Sequence, residues 1–283
     1  MSRFMLSYLE RSSPVHRVTG AVKLIIFLLW SVLAMTGYDT RVMLFSSGLG
    51  LFLFIISGIK LRDISFIFKM LIIFMAANLI AVYIFSPEEG VKIYGSRHLL
   101  AEGFGRFTLT KEQLFYEFNI FLKYCQLVPA AILLIVTTHP SEFASSLNRI
   151  GVHYYIAYTV SLTLRYIPDV QRDYIAISQA QQARGIELSR KAPLFKRIKG
   201  IAAILLPLIF SSLERIDSVS NAMELRGFGK HKKRSWYSSR PFGKADAIAL
   251  SAGVLLFALG MWFTFRDGSR FYNPFIPPGP TVP

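Results

Sequence analysis

A seven-residue motif occurs twice in the sequence, and each copy contains an arginine followed by a glycine. Residues 180–186 read AQQARGI, and residues 222–228, forty-two positions later, read AMELRGF. Each copy closes a run that predicts a helix, where glycine supplies a left-handed cap and a cation meets the negative end of the helix dipole. Arginine can also donate bidentately to a carboxylate, and it keeps its charge. The motifs are therefore either two well-formed helix ends, or two equivalent arginines that dock into acidic pockets of a duplicated partner.

Catalytic and metal-binding motifs are missing from the sequence. The five histidines are scattered, there is no H-E-x-x-H or G-x-S-x-G, and Cys125 is the single cysteine. The pair Gly229-Lys230 is followed by His231, and Glu224 stands where a phosphate-binding loop would have its first glycine. We therefore predict no catalytic residue, no metal site and no cofactor. If ATP drives this protein, another chain hydrolyses it.

The composition predicts a membrane protein. The chain of 283 residues is 53% hydrophobic and 17% charged, with apolar runs of membrane-spanning length. Its net charge of +15 could suggest nucleic acid, but the segment 139–244 holds 17 of the 32 basic residues and only 7 of the 17 acidic ones. A basic segment between membrane spans is what the positive-inside rule predicts for a cytoplasmic region. We therefore expect a multi-pass membrane protein, in contact with membrane lipid and not with nucleic acid.

The hydropathy pattern divides the chain into three regions of an all-α polytopic membrane protein. Residues 1–138 form an N-terminal membrane region of about four spans with an external loop at 86–117, residues 139–244 are cytoplasmic, and residues 245–283 hold the last span and an external tail. The five expected spans are 21–37, 42–59, 67–85, 118–138 and 245–265. With a cytoplasmic N-terminus, this count places the tail outside.

Two apolar stretches of the cytoplasmic region are harder to assign. Residues 154–167 are interrupted by Arg165 and end before Pro168, so they do not predict a membrane span, and residues 169–184 predict a polar helix. Residues 201–213 are short for a span, and we interpret them as the buried stem of the second arginine helix. Either stretch could dip into the bilayer.

Several segments resemble the transmembrane T component of energy-coupling factor (ECF) transporters, the EcfT/CbiQ family. The resemblance rests on the two arginine motifs and their spacing, and it spans nearly the whole chain. Further segments similar to that family are Ser13-Pro14-Val15-His16-Arg17 with Lys23-Leu24, Thr137-Thr138-His139-Pro140, Leu164-Arg165-Tyr166-Ile167-Pro168, and Leu206-Pro207-Leu208-Ile209 with Glu214-Arg215. One departure is Leu225, where the family usually has alanine before the second arginine.

The resemblance implies a scaffold without enzymatic activity in a prokaryotic plasma membrane. Its cytoplasmic coupling helices would place each arginine tip in a groove of one of two ABC-type ATPase subunits, and its apolar surfaces would hold a substrate-binding S component. The uptake of a vitamin or metal ion would follow from ATP-driven closure of the ATPases. The docking residues implied in this way are Ala183, Arg184, Gly185, Leu225, Arg226 and Gly227.

Two other classes of function remain open. In a membrane enzyme or assembly factor the Arg-Gly tips would be helix caps only, and the purified chain alone would be active. A stand-alone channel or carrier would support flux in liposomes without ATPases. The sequence does not identify the substrate, because in the family that this chain resembles the S component determines which substrate is transported.

Overall fold

The fold is almost entirely helical. The computed structural model describes residues 13–60, 65–101, 107–186, 193–230, 236, 240–266 and 268–275. The helices within these residues are α1 (Pro14–Arg17), α2 (Gly20–Thr36), α3 (Thr40–Ile56), α4 (Ser65–Phe85), α5 (Glu89–Tyr94), α6 (Lys111–Thr137), α7 (Pro140–Arg149), α8 (Tyr154–Ala183), α9 (Leu194–Leu225) and α10 (Lys244–Phe265). The short strands β1 (Leu99–Ala101) and β2 (Leu109–Thr110) form an antiparallel pair. The predicted all-α polytopic class is confirmed.

Five apolar helices correspond to the five expected spans. Among the described residues, α4, α6 and α10 are long and apolar enough to cross a membrane, while α2 and α3 are apolar but have 17 residues each. The main difference from the sequence-based boundaries is α6, which begins at Lys111 instead of residue 118. The hydroxyl of Thr110 accepts a hydrogen bond from Gln113 N and so caps the helix earlier than the apolar run indicates.

The chain divides into two compact units, Met1–Glu142 with Arg240–Pro283, and Phe143–Ser239. In the first unit, the starts of α2 and α10 lie together, since Thr19 N donates to Asp246 Oδ1 over 2.7 Å. Lys23 of α2 donates to the carbonyl of Thr137, the last residue of α6, over 2.8 Å. Helices α2 and α10 therefore run in one direction and α6 in the other, as an odd number of alternating spans requires.

Small and polar side chains join the helices of the first unit. Ser47 Oγ of α3 donates to the carbonyl of Leu122 in α6 over 3.1 Å, and Trp30 of α2 donates to the carbonyl of Gln126 over 3.2 Å. Ser47 is buried, as small residues at a close helix contact are expected to be. Gly48, the next residue of α3, is exposed.

The described part of the loop between α4 and α6 is folded, and it contains helix α5 and the β1–β2 pair. Tyr94 is almost fully buried beneath Phe115 and Phe275, whose ring centroids lie 5.5 and 5.8 Å from its own. Asn273 donates to the Tyr94 carbonyl over 2.9 Å. The described part of the C-terminal tail is therefore packed on this loop, which agrees with placing both on the same side of the membrane.

The second unit is built on two long helices. Helix α8 has 30 residues and runs through Pro168, while α9 has 32 residues and runs through Pro207. The expected separation of an apolar stretch and a polar helix at Pro168 is therefore wrong. A proline removes one backbone donor, and a helix can continue past it where packing stabilises the rest. Residues 231–235 and 237–239 of the expected cytoplasmic region, and residues 276–283 of the expected external tail, lie outside the described residues.

Candidate functional site

The first arginine motif ends α8 in a Schellman cap. Arg184 follows the last helical residue, and Gly185 has the left-handed φ of 84°. Gly185 N donates to the carbonyl of Gln182 over 2.9 Å, and Ile186 N donates to the carbonyl of Gln181 over 3.1 Å. These two hydrogen bonds pair carbonyl groups that would otherwise lack a donor at the end of the helix. The predicted glycine cap is confirmed at this tip.

The second arginine motif ends α9 with the same geometry. Arg226 has φ −84° and ψ 8°, against −85° and 9° at Arg184. Gly227 is left-handed with φ 65°, and its N–H donates to the carbonyl of Glu224 over 2.8 Å. Phe228 N donates to the carbonyl of Met223 over 2.9 Å, which completes the Schellman pair. The two tips are therefore two copies of one backbone structure.

All but one of the six expected docking residues are exposed, and Gly227 is half-buried. Ala183 and Leu225 are the last residues of their helices, and the Leu225 side chain keeps 90% of its surface accessible. Leucine side chains are more often buried than left so accessible. The structure therefore presents, at both tips, an arginine beside an exposed aliphatic residue.

Helices α8 and α9 are joined by an ion pair that the sequence reading did not identify. Arg215 of α9 donates to a carboxylate oxygen of Asp173 in α8, and its other terminal nitrogen lies 3.8 Å from Asp169. Closer to the first tip, Gln181 donates to the carbonyl of Ala203 over 3.0 Å. A signal for the ion pair is present in the sequence, because the forty-two-residue offset that aligns the two motifs also aligns Asp173 with Arg215.

Aromatic rings surround the second tip. The Phe228 ring lies 4.7 Å from that of Tyr158 and 5.7 Å from that of Tyr155, both in the first turns of α8. Trp236 lies 5.5 Å from Tyr154 and donates to the side-chain oxygen of Asn148 in α7 over 3.1 Å. Packed aromatic pairs of this kind favour a fixed arrangement. The backbone that carries Arg226 is thus held against the start of α8.

Helix α9 carries an apolar surface that the chain itself leaves uncovered. The expectation that the stretch 201–213 is a buried stem is wrong, because only Ile204 is fully buried there. The other large side chains of this surface keep 44–62% of their area exposed; they are Ile201, Leu205, Leu206, Ile209, Phe210, Leu213 and Ile216. An apolar surface of this extent indicates contact with another protein or with lipid.

Two further segments that carried the family resemblance meet in the first unit. Ser13 Oγ lies 2.7 Å from His16 Nδ1 at the start of the described chain. Lys23 reaches the carbonyl of Thr137, and Glu142 accepts a hydrogen bond from Gly20 N over 2.8 Å. Sequence reading missed Glu142 because the contact joins residues far apart in the chain. Among the described residues, no group of three or more His, Cys, Asp or Glu could hold a metal ion.

The family match and the similar proteins described below all point to a membrane component of a transporter. Residues 11–236 match the family CbiQ, which is described as cobalt transport protein. The chain is similar to the energy-coupling factor transporter transmembrane protein EcfT of Exiguobacterium sibiricum, with 25% identity over 92% of this chain and 97% of the relative. The proteins of the same name in Streptococcus thermophilus and Bacillus subtilis are each 26% identical over 89% of this chain, and cover 96% and 94% of those relatives.

Proposed function

The chain belongs to the CbiQ family and is a transmembrane (T) component of an energy-coupling factor transporter, and from this premise we propose that it couples two cytoplasmic ATPases to a substrate-binding membrane subunit. In this proposal the chain has no enzymatic activity of its own. Two ABC-type ATPase subunits hydrolyse ATP, an S component binds a vitamin or a metal ion, and the segment 139–244 is the cytoplasmic coupling region between them.

The observation that carries this proposal is the pair of matched arginine tips. Both tips have the same cap, the same backbone angles at the arginine and an exposed aliphatic residue before it. One exposed arginine could be a helix cap with a favourable charge, but two copies of one tip fit two copies of one partner surface. We propose that Arg184 and Arg226 each bind carboxylates in a groove on one ATPase, where a guanidinium can form two parallel hydrogen bonds.

The neighbouring residues give each tip its shape. Gly185 and Gly227 end each helix in the left-handed region, directly after an exposed arginine. Ala183 and Leu225 supply the apolar contact beside the charge. Leu225 is larger than the alanine usual in the family, so we expect a wider apolar recess in the subunit that receives the second tip.

The exposed apolar surface of α9 is the proposed seat of the S component. A partner embedded in the membrane has an apolar surface itself, and packing against 201–216 would cover the side chains that this chain leaves exposed. When the ATPases close on ATP, the tips move with them. The Arg215–Asp173 contact passes the movement between α8 and α9, and the S component seated on α9 is displaced with its cargo.

Identifying the proteins that accompany the chain tests this assignment. The tagged protein is extracted from its native membrane in mild detergent, and whatever remains bound is identified by mass spectrometry. We expect two ABC-type ATPase subunits and one small hydrophobic membrane protein. A chain that is recovered alone, and that catalyses a reaction or supports flux in liposomes by itself, would replace the coupling role with an enzyme or a carrier.

A further inference from the structure

The chain passes between its two compact units twice, and both passages adjoin one ion pair. The chain leaves the first unit after Glu142 and returns to it at Arg240. Within that unit, Arg240 Nε lies 4.0 Å from Glu142 Oε2, and Arg240 also donates to the carbonyl of His16 over 3.3 Å. The two residues that flank the segment 143–239, Glu142 and Arg240, are therefore held beside each other.

Two carboxylates fix the start of α2 at this place. Gly20 N donates to Glu142 Oε1 over 2.8 Å, and Thr19 N donates to Asp246 Oδ1 over 2.7 Å. The first N–H groups of a helix have no partner inside it, and they form the positive end of its dipole. Glu142 and Asp246 are both buried, with 7% and 3% of their surface exposed. Glu142 thus binds the start of α2 at the first passage. Asp246 binds it from the first turn of α10, the helix that follows the second passage.

Two cations balance these carboxylates. Lys23, one turn into α2, donates to the carbonyl of Thr137 at the end of α6 over 2.8 Å. Arg240 lies beside Glu142, and Asp246 also accepts from Gly243 N over 2.8 Å. We call Lys23, Glu142, Arg240 and Asp246 the junction network. Among the described residues, these four side chains bring two positive and two negative charges to one partly buried place, where removing one member changes the balance of charge.

A membrane bundle does not need such a set for stability, since apolar packing of the same volume is often at least as stabilising as a buried ion network. We propose that the junction network is a mechanical clamp: it ties both passages to α2, α6 and α10, so that a displacement of residues 143–239 moves the spans and is not taken up by the connecting backbone. This inference rests on the coupling function proposed above. The four side chains are positioning residues and contact neither ATP nor cargo.

Arg240 is the member to change first, because its side chain is 51% exposed and its loss should leave the bundle folded. Arg240→Ala removes the contact of Arg240 with Glu142, and Arg240→Lys keeps the charge. The matched control is Arg97→Ala, whose side chain is also 51% exposed and also faces a glutamate, Glu88, on the loop between α4 and α6. Should Arg240→Ala not accumulate in the membrane, Glu142→Gln replaces it, because the amide oxygen still accepts from Gly20 N while the charge is lost.

The readout is a distance between two spans. Spin labels are attached at Met35→Cys and Phe85→Cys, exposed positions of α2 and α4, in a Cys125→Ser background. The complex captured on the tagged chain is placed in lipid nanodiscs, and the label separation is measured by pulsed electron paramagnetic resonance without nucleotide and with ATP plus vanadate. We expect the distance between the two labels to change with nucleotide in the doubly labelled parent, and equally in its Arg97→Ala and Arg240→Lys variants.

Arg240→Ala, or Glu142→Gln in its place, should lose at least half of that shift, while the amount of captured ATPase and its hydrolysis of ATP stay within twofold of the parent. A full shift in that variant, or no shift in the parent, overturns the clamp. Failure of the coupling function itself is a different result, because the parent chain would then capture no ATPase at all.

Discussion

Arg215 of α9 donates a hydrogen bond to Asp173 of α8, and each of these residues stands eleven positions before the arginine of its own tip. Eleven residues make about three helical turns, or roughly 16 Å along the axis. The ion pair therefore joins the two helices at the same distance from Arg184 as from Arg226. A change in the angle between the helices at this point displaces both tips by similar amounts, which suits two partners that act together.

The Arg215 contact predicts a measurable coupling between α8 and α9. Arg215→Ala should lower the free energy of unfolding by about 1 kcal/mol, since both partners are about one-third exposed and a pair in that environment contributes little more. A double-mutant cycle with Asp173→Ala, followed by thermal unfolding in detergent, isolates the pair. Arg172→Ala is the control, because its side chain is 75% exposed and its ion pair with Asp169 stays within one helix. Equal effects of Arg215→Ala and Arg172→Ala would contradict the assignment.

Replacing either of the capping glycines should destabilise the protein, because the backbone there is in the left-handed conformation. Gly185→Ala and Gly227→Ala should each destabilise the protein by about 1 kcal/mol, because a side chain at positive φ meets its own backbone. Gly185→Asn should cost less, since asparagine tolerates the left-handed region. Gly48→Ala is the control: Gly48 lies inside α3, and a β-carbon there would have no atom within 4 Å beyond the adjacent backbone of its own helix, so alanine should not destabilise. Thermal midpoints of the purified variants test the order.

The packing of α5 on α6 predicts that Gly90 cannot be enlarged. A β-carbon at Gly90 would lie 2.4 Å from the carbonyl oxygen of Glu112 and 2.6 Å from Gln113 N, which are backbone atoms of α6. Gly90→Ala should therefore destabilise the loop by about 1–3 kcal/mol, as overpacking does. A β-carbon at Gly95, at the other end of α5, meets no atom within 4 Å, so Gly95→Ala is opposed only by its φ of 67°. Limited proteolysis of the loop should show earlier cleavage in Gly90→Ala than in Gly95→Ala.

The aromatic contacts at the second tip predict that Phe228 supports Arg226. Phe228→Ala removes ring contacts to Tyr155 and Tyr158, each worth about 0.5–1.5 kcal/mol beyond burial, so the thermal midpoint should fall. Phe228→Tyr keeps the ring and should behave as the wild type. Phe195→Ala, at the start of α9, serves as the control, because the Phe195 side chain is 81% exposed. A Phe228→Ala protein as stable as Phe195→Ala would show that the ring cluster does not hold the tip.

Much of the fold could be predicted from the sequence because the membrane imposes long apolar runs. The expected span at 67–85 lies within α4, and that at 245–265 begins one residue after α10 does. The two tips were also predictable, since glycine after an arginine at a helix end has few other backbone roles. These features depend on neighbouring residues, which a sequence displays directly.

The features that sequence reading missed depend on residues far apart in the chain. Glu142 contacts Gly20, and Asp246 contacts Thr19, across more than a hundred positions in each case. The length of α8 was underestimated because Pro168 suggests a break, whereas the helix continues beyond it. The exposure of the stretch 201–213 was missed for another reason, since an apolar sequence does not tell whether the chain itself or a partner covers it.

We propose that Arg184 and Arg226 dock the ATPases. The most direct measurement is the amount of ATPase recovered per tagged chain from native membranes for the wild type, for Arg184→Ala with Arg226→Ala, and for the control Arg172→Ala with Lys199→Ala. The control also removes two exposed cations from α8 and α9. We predict at least a tenfold loss of ATPase in the tip variant, with unchanged amounts of the chain in the membrane, and wild-type recovery in the control. Equal recovery of ATPase in all three proteins would contradict the docking role of the two arginines.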